Sequence, residues 1–224
     1  MKLTVQISDI DMLDTVLEHN IARVYIKNLQ KPIKCKAELF LALPNISHEE
    51  HIPNIDVDGY LVSTYGQLYL LQNTDKKIML DYTFNIFNNQ AKQAFPTAVG
   101  TTLSQELNLK QLKEMDGQNS EIIIHGRQIL MTTRAKFPKD SVLTDRKNMQ
   151  FPIMQNGNLN YILNSKTLNT AARLSEIKSA NIEYMRIIFQ NESRNEIKNT
   201  LLQYEGLPQV SDNYTYGHFF RGAD

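Results

Sequence analysis

Residues 58–82 read DGYLVSTYGQLYLLQNTDKKIMLDY. Two short apolar runs, GYLVS at 59–63 and KIMLDY at 77–82, flank a stretch near 65–71 with helical spacing. A strand, a helix and a second strand in so short a span imply parallel strands joined by a crossover. The same rhythm extends upstream. Residues 3–7 alternate apolar with polar, and Ser8 or Asp9 can cap a helix whose apolar face is Ile10, Leu13, Val16 and Leu17. ARVYI at 22–26 and CKAELFLAL at 35–43 follow as strands, the second ending at the turn Pro44-Asn45. Downstream come a helix near 87–95, a strand at 98–104, a helix near 107–115 and a strand at 121–125.

After Gly126 the pattern changes. Short β-like runs at 141–144, 150–154 and 158–163 are separated by polar turns such as Gln155-Asn156-Gly157, which reads as a β-hairpin insert, residues 127–165, over a barrel mouth. The alternation resumes with a helix near 170–179, a strand at 184–189 and a helix near 194–203, and the tail, 206–224, is polar and aromatic without clear periodicity. Eight βα units close a barrel, and this chain offers about that many strands with some thin or missing helices. The expected fold is therefore an irregular TIM-like (β/α) barrel, one domain over residues 1–224. A doubly wound open sheet is the alternative, but Ser8-Asp9-Ile10-Asp11 lacks the glycines of its phosphate loop.

Composition narrows the function classes. The 24 basic side chains equal the 24 acidic ones, so no global field recruits nucleic acid or an anionic membrane, and RNA binding would need a local patch. The one cysteine, Cys35, allows no internal disulfide and no cysteine-built metal cluster. With no apolar run long enough for a signal or a membrane span, the expected compartment is the reducing cytoplasm.

In a barrel, chemistry sits at the C-terminal ends of the strands. There His125 reads either as a general base facing the mouth beside Glu106 or as a structural histidine. Glu106 reads equally as a cap of the next helix. Arg186, flanked by Met185 and Ile187 in a buried strand, needs an acceptor, and reads equally as an anion-binding residue or half of an internal ion pair. Asn85, Arg127 and Asn164 complete the substrate-binding candidates around the mouth, with Arg146 in a charged turn of the insert whose bland reading is a solvated hairpin. His48-Glu49-Glu50-His51 has its histidines three apart with no third ligand, so no metal site is expected there, and no Gly-x-Ser-x-Gly elbow is present.

Seven strings in order resemble the collagenase-like peptidases, the unassigned-peptidase family numbered thirty-two (U-32). They are Asp58-Gly59-Tyr60-Leu61-Val62 with Gly66; Asp81 onward (DYTFNIFN); Thr102 onward (TLSQELN); Ile124-His125-Gly126-Arg127 with Leu130-Met131; Leu143 onward (LTDRKNMQFP); Ile162 onward (ILNSKTL); and Gly217 onward (GHFFRG). The resemblance implies a barrel, a peptidase label, and relatives that hydroxylate tRNA, ribosomal RNA or a quinone precursor, several with an iron-sulfur cluster. The closing string is similar to that of the later barrel region of larger members. This chain departs from the pattern where the family carries cysteines, at 132–136 and 154–159, so no four-cysteine cluster forms within it and no cofactor is expected. Two hypotheses follow: an enzyme component binding an anionic or RNA substrate, or a non-redox partner of a cysteine-containing paralogue in RNA hydroxylation. The missing cysteines favour the partner; a stand-alone peptidase is the remaining alternative.

Overall fold

The computed structural model describes residues 2–46, 51–208 and 213–221. Seven parallel strands come first: β1 (Lys2–Ile7), β2 (Arg23–Ile26), β3 (Glu38–Ala42), β4 (Gly59–Val62), β5 (Lys77–Leu80), β6 (Gly100–Thr102) and β7 (Ser120–Gly126). An insert follows, made of β8 (Ile129–Thr133), β9 (Val142–Thr144), β10 (Gln150–Asn156) and β11 (Leu159–Leu163). Then come β12 (Thr167–Asn169) and β13 (Tyr184–Ile188). Because β13 pairs in parallel with both β1 and β7, the eight strands close into a barrel. The expected α/β barrel is the observed fold.

The helices are short: α1 (Leu13–Leu17), α2 (Tyr65–Leu70), α3 (Asn89–Gln93), α4 (Leu109–Glu114), α5 (Leu174–Lys178) and α6 (Arg194–Tyr204). Three begin with reciprocal capping boxes, Thr64 with Gln67, Asn108 with Gln111 and Ser193 with Glu196, which satisfy amides that such short helices leave orphaned. Among the described residues no helix separates β2 from β3 or β3 from β4.

Two local expectations need correction. The insert is a four-stranded antiparallel sheet ordered β8-β11-β10-β9, since residues 129–133, not foreseen as a strand, pair with β11. Cys35 lies outside β3, which begins at Glu38. The tail is ordered where described: β14 (Tyr214–Thr215) pairs with β12, and Phe219 is buried with its carbonyl accepting from Leu109 N at 2.8 Å.

Strand side chains alternate faces, and here both faces are buried. Outward residues such as Val5, Ile7, Val24, Ile26, Val62 and Leu80 join the helices in the main core. Inward, the barrel axis is divided. Tyr25, Phe40, Ala42, Leu61 and Met79 form a compact apolar cluster on β2 to β5. Gly59 is required beside it, because a Cβ there would stand 2.5 Å from the Phe40 ring and 2.4 Å from the Lys77 carbonyl.

The other half of the axis is polar and centres on Arg186 of β13, which is fully buried. Its Nη1 donates to Asp81 Oδ1 at 2.8 Å and to Gln6 Oε1 at 3.1 Å, and its Nε to Glu121 Oε2 at 2.6 Å. Nη2 contacts Thr102 Oγ1 and Glu121 Oε2, and the guanidinium lies over the Tyr25 ring at 4.6 Å. Glu121 is buried too, its Oε1 accepting from Thr4 Oγ1 at 2.6 Å and the Tyr25 hydroxyl at 3.0 Å. Burial alone would lower the arginine pKa; Glu121 and Asp81 outweigh it and raise it. Of the two readings of Arg186, the internal ion pair is the one present, and the expectation that it binds substrate is corrected: its donors are spent inside the barrel.

Removing one partner of a buried, hydrogen-bonded pair strands the other charge, at a cost of about 3–5 kcal/mol. Arg186→Met is therefore expected to lower the unfolding free energy by about that amount in urea melts. A loss below about 1 kcal/mol would mean that the network is not what holds the polar half of the axis together.

Candidate functional site

Parallel closure brings the C-terminal ends of all eight barrel strands to one mouth, and the insert leaves the barrel there, directly after β7. Between the mouth and β8, β10 and β11 lies a cleft of about 340 Å³. That is at the lower end of the size that holds a small organic ligand. A narrower space of about 40 Å³ adjoins it, running to Gln6 and Asp81. Lys27, Asn45, Tyr82 and Ile129 line both spaces and so mark where they meet.

Lys27 follows the last residue of β2. Among the charged residues, it alone lines the larger cleft. Burial lowers its pKa, with Asp81 opposing and Arg186 adding to the effect. Asp81 is already engaged: Oδ1 accepts from Arg186 and from Tyr82 N, both at 2.8 Å, and Oδ2 from Ser63 Oγ at 3.3 Å. Tyr82 and Asn45 are also held, the Tyr82 hydroxyl accepting from Asn45 Nδ2 at 3.2 Å. Burial is the first cause that raises the Tyr82 pKa, so its phenol stays protonated. The larger cleft thus offers fixed neutral polar groups, apolar walls and one cation.

The residues foreseen from sequence are placed as follows. His125 does not face the mouth. Strands β7 and β13 slip register between Arg186, opposite Ile123, and Ile187, opposite His125, so that Ile124 is the extra residue of a bulge. Alternation counted from Glu121 would aim His125 inward; the bulge turns it to the outer wall, where its ring packs against Phe189 and Tyr204 at 6.1 and 5.8 Å. Gly126, at φ 129°, completes the kink, and a Cβ there would meet Ile188 at 2.8–2.9 Å. His125 is therefore corrected from catalytic candidate to buried packing residue, with Nδ1 lacking a hydrogen-bond partner.

Glu106 is exposed and does not cap α4, which Asn108 and Gln111 cap instead; its amide donates to Ser104 Oγ at 3.3 Å. Its pairing with His125 at the mouth is corrected accordingly, since His125 faces the other side of the wall. Asn85 is exposed and holds a left-handed turn at φ 49° that ends the short helical turn after β5. Arg127 and Asn164 do come together: Arg127 Nη1 donates to the carbonyls of Asn164 and Ser165 at 3.2 and 3.3 Å, clamping the two ends of the insert. Arg127 also borders the narrow space. Arg146 is exposed on the turn between β9 and β10, which Asp145 organises by accepting from the amides of Lys147 and Met149 at 2.8 and 2.9 Å.

Sequence reading missed Lys27, Asn45 and Tyr82 as site residues. The available signal was position alone, a charge directly after the buried run RVYI. Cys35 lies at the opposite end of the barrel with Lys34, Asp56, Asp58 and Lys76, and burial raises its pKa, which favours the unreactive thiol. Of the string His48-Glu49-Glu50-His51, where no metal site is expected, residues 48–50 fall outside the described residues. Among the described residues no three metal-ligating side chains cluster, and no helix is long and apolar enough to cross a membrane. No protein-family model, curated protein or solved structure matches the chain. The likeness to the collagenase-like peptidases thus rests on the seven strings.

Burial without an acceptor pushes the His125 pKa down to about 4. The native state then binds fewer protons than the unfolded chain between pH 6.5 and 4, so this contribution is intact above 6.5 and is lost as pH falls. Wild type should lose about 3 kcal/mol of stability over that range relative to His125→Gln. Parallel pH profiles of urea denaturation for the two proteins would refute the assignment.

Proposed function

We propose that the chain is a non-redox, substrate-binding barrel of the collagenase-like peptidase type. In this reading it works as partner or binding component of an RNA hydroxylation system, on tRNA or rRNA, alongside a cysteine-containing paralogue. The observation that carries the reading is the mouth itself: a ligand-sized cleft with one cation, while the sole cysteine lies at the far end of the barrel. The paralogue, where a cluster is needed, would supply it.

Two further features support the reading. Three of the quoted strings fall on joints that build the mouth, Asp81 on Arg186, Gly126 at the bulge and Asn164 on Arg127, while Gly59 of a fourth packs against Phe40 inside the barrel. The insert also leaves Leu130, Met131, Val142 and Leu143 exposed, an apolar surface that a second protein would cover. The peptidase alternative draws no such support.

The test is recovery of the tagged full-length chain from its own cells after mild crosslinking, with bound protein and RNA identified. A cysteine-containing relative of the same barrel type and modified-RNA substrates are expected. Met131→Asp with Leu143→Asp should abolish capture of the relative while leaving the melting temperature unchanged. Recovery of the chain alone, with cleavage of peptide substrates, would refute the proposal.

A further inference from the structure

The wall of the larger cleft has an uneven composition. Leu43, Pro44, Ile46, Ile129, Leu130 and Met131 give it an apolar side. Its asparagines are already engaged: Asn28 Nδ2 donates to the Ser8 carbonyl at 3.1 Å, Asn45 bonds Tyr82 and Ser63, and Asn156 Nδ2 donates to the Tyr161 hydroxyl at 3.4 Å. Lys27 is the exception. Among the described residues its ammonium has no ion pair and no hydrogen-bond partner, and the side chain is only half-buried in the wall of the cleft. The nearest opposing charge, Asp81, is consumed by Arg186, Tyr82 N and Ser63. An ammonium half-buried beside apolar walls and left without a protein acceptor gains from a counter-charge. The same fold satisfies its other interior cations fully: Arg186 as described, and Arg23 by Glu38 at 2.7 and 2.9 Å.

We infer that Lys27 is the anchoring cation for an amphipathic oxyanion: a small molecule whose carboxylate or phosphate meets the ammonium and whose apolar body lies along Ile129, Leu130 and Met131. An oxyanion at this point supplies the missing counter-charge, and a charge-assisted hydrogen bond in a cleft of low polarity is stronger than one in water. The volume, about 340 Å³, fits a single headgroup with a ring or short chain. The inference rests on the mouth being the ligand site, and it holds whether or not the substrate system involves RNA.

The probe is 8-anilinonaphthalene-1-sulfonate, one oxyanion on an apolar body, titrated into the full chain by fluorescence. Its uncharged counterpart is N-phenyl-1-naphthylamine. The wild type is expected to bind one sulfonate probe per chain saturably. Lys27→Met should bind it at least tenfold more weakly, Lys27→Arg within a few-fold, and the uncharged probe should bind both equally. Lys27→Met should melt at or above the wild-type temperature, which separates lost binding from lost folding. Equal sulfonate binding by wild type and Lys27→Met, or no saturable site in the wild type, overturns the assignment. Displacement of the probe by tRNA from wild type names an RNA phosphate as a source of the anion. If tRNA leaves the probe in place, the RNA element of the proposed function falls while the Lys27 site stands as one for a free small anion.

Discussion

A guanidinium buried on the axis of a closed barrel has to find an acceptor for every donor, and Arg186 finds them on the strands that complete the closure. It belongs to β13, the last strand to enter, and reaches Gln6 on β1, Asp81 after β5, Thr102 on β6 and Glu121 on β7, with Tyr25 of β2 beneath it. The pairing of β13 with both β1 and β7 is thereby tied from inside as well as by backbone hydrogen bonds. The opposite side of the axis, on β2 to β5, is filled by Phe40, Leu61 and Met79. A packed half and a bonded half together leave no room on the axis for a ligand.

The polar half continues as a column. Below Glu121 the Tyr25 hydroxyl accepts from Arg23, which pairs with Glu38, and Glu38 also meets Lys77 at the N-terminal end. Above it, Asp81 caps Arg186 and faces the mouth. Each charge in the column has an opposite neighbour until Lys27, where the alternation stops. The unmet charge sits at the one end covered by an insert and faces a cavity, which is the reason for placing function there. Burial of ion pairs gives little net stability compared with apolar packing, so the column is better understood as fixing register and filling than as a reserve of stability.

Much of the barrel was legible in the sequence because strands buried on both faces read as continuous apolar runs. GYLVS, KIML and EIIIH announce β4, β5 and β7 directly. Strand β8 was hidden because ILMTT follows β7 after only two residues and carries exposed Leu130 and Met131, so neither alternation nor burial marks it. The site was less legible for a sharper reason. A bulge adds one residue to one strand and leaves no compositional trace, yet it reverses the facing of everything after it. That single residue, Ile124, moved His125 out of the mouth, while Lys27, an unremarkable lysine in the string, entered it. Arg186 was readable as a residue in need of an acceptor; which acceptor depended on contacts spanning most of the chain.

The claim on which the rest depends is that Arg186 and Glu121 act as one unit across β13 and β7. A double-mutant cycle with Arg186→Met, Glu121→Gln and the combined variant, followed by urea denaturation, tests it most directly. The two changes should be strongly non-additive, with a coupling of about 2 kcal/mol or more and a double variant little worse than the poorer single one. Additive losses would contradict the account, because they would mean that the two side chains hold the barrel independently.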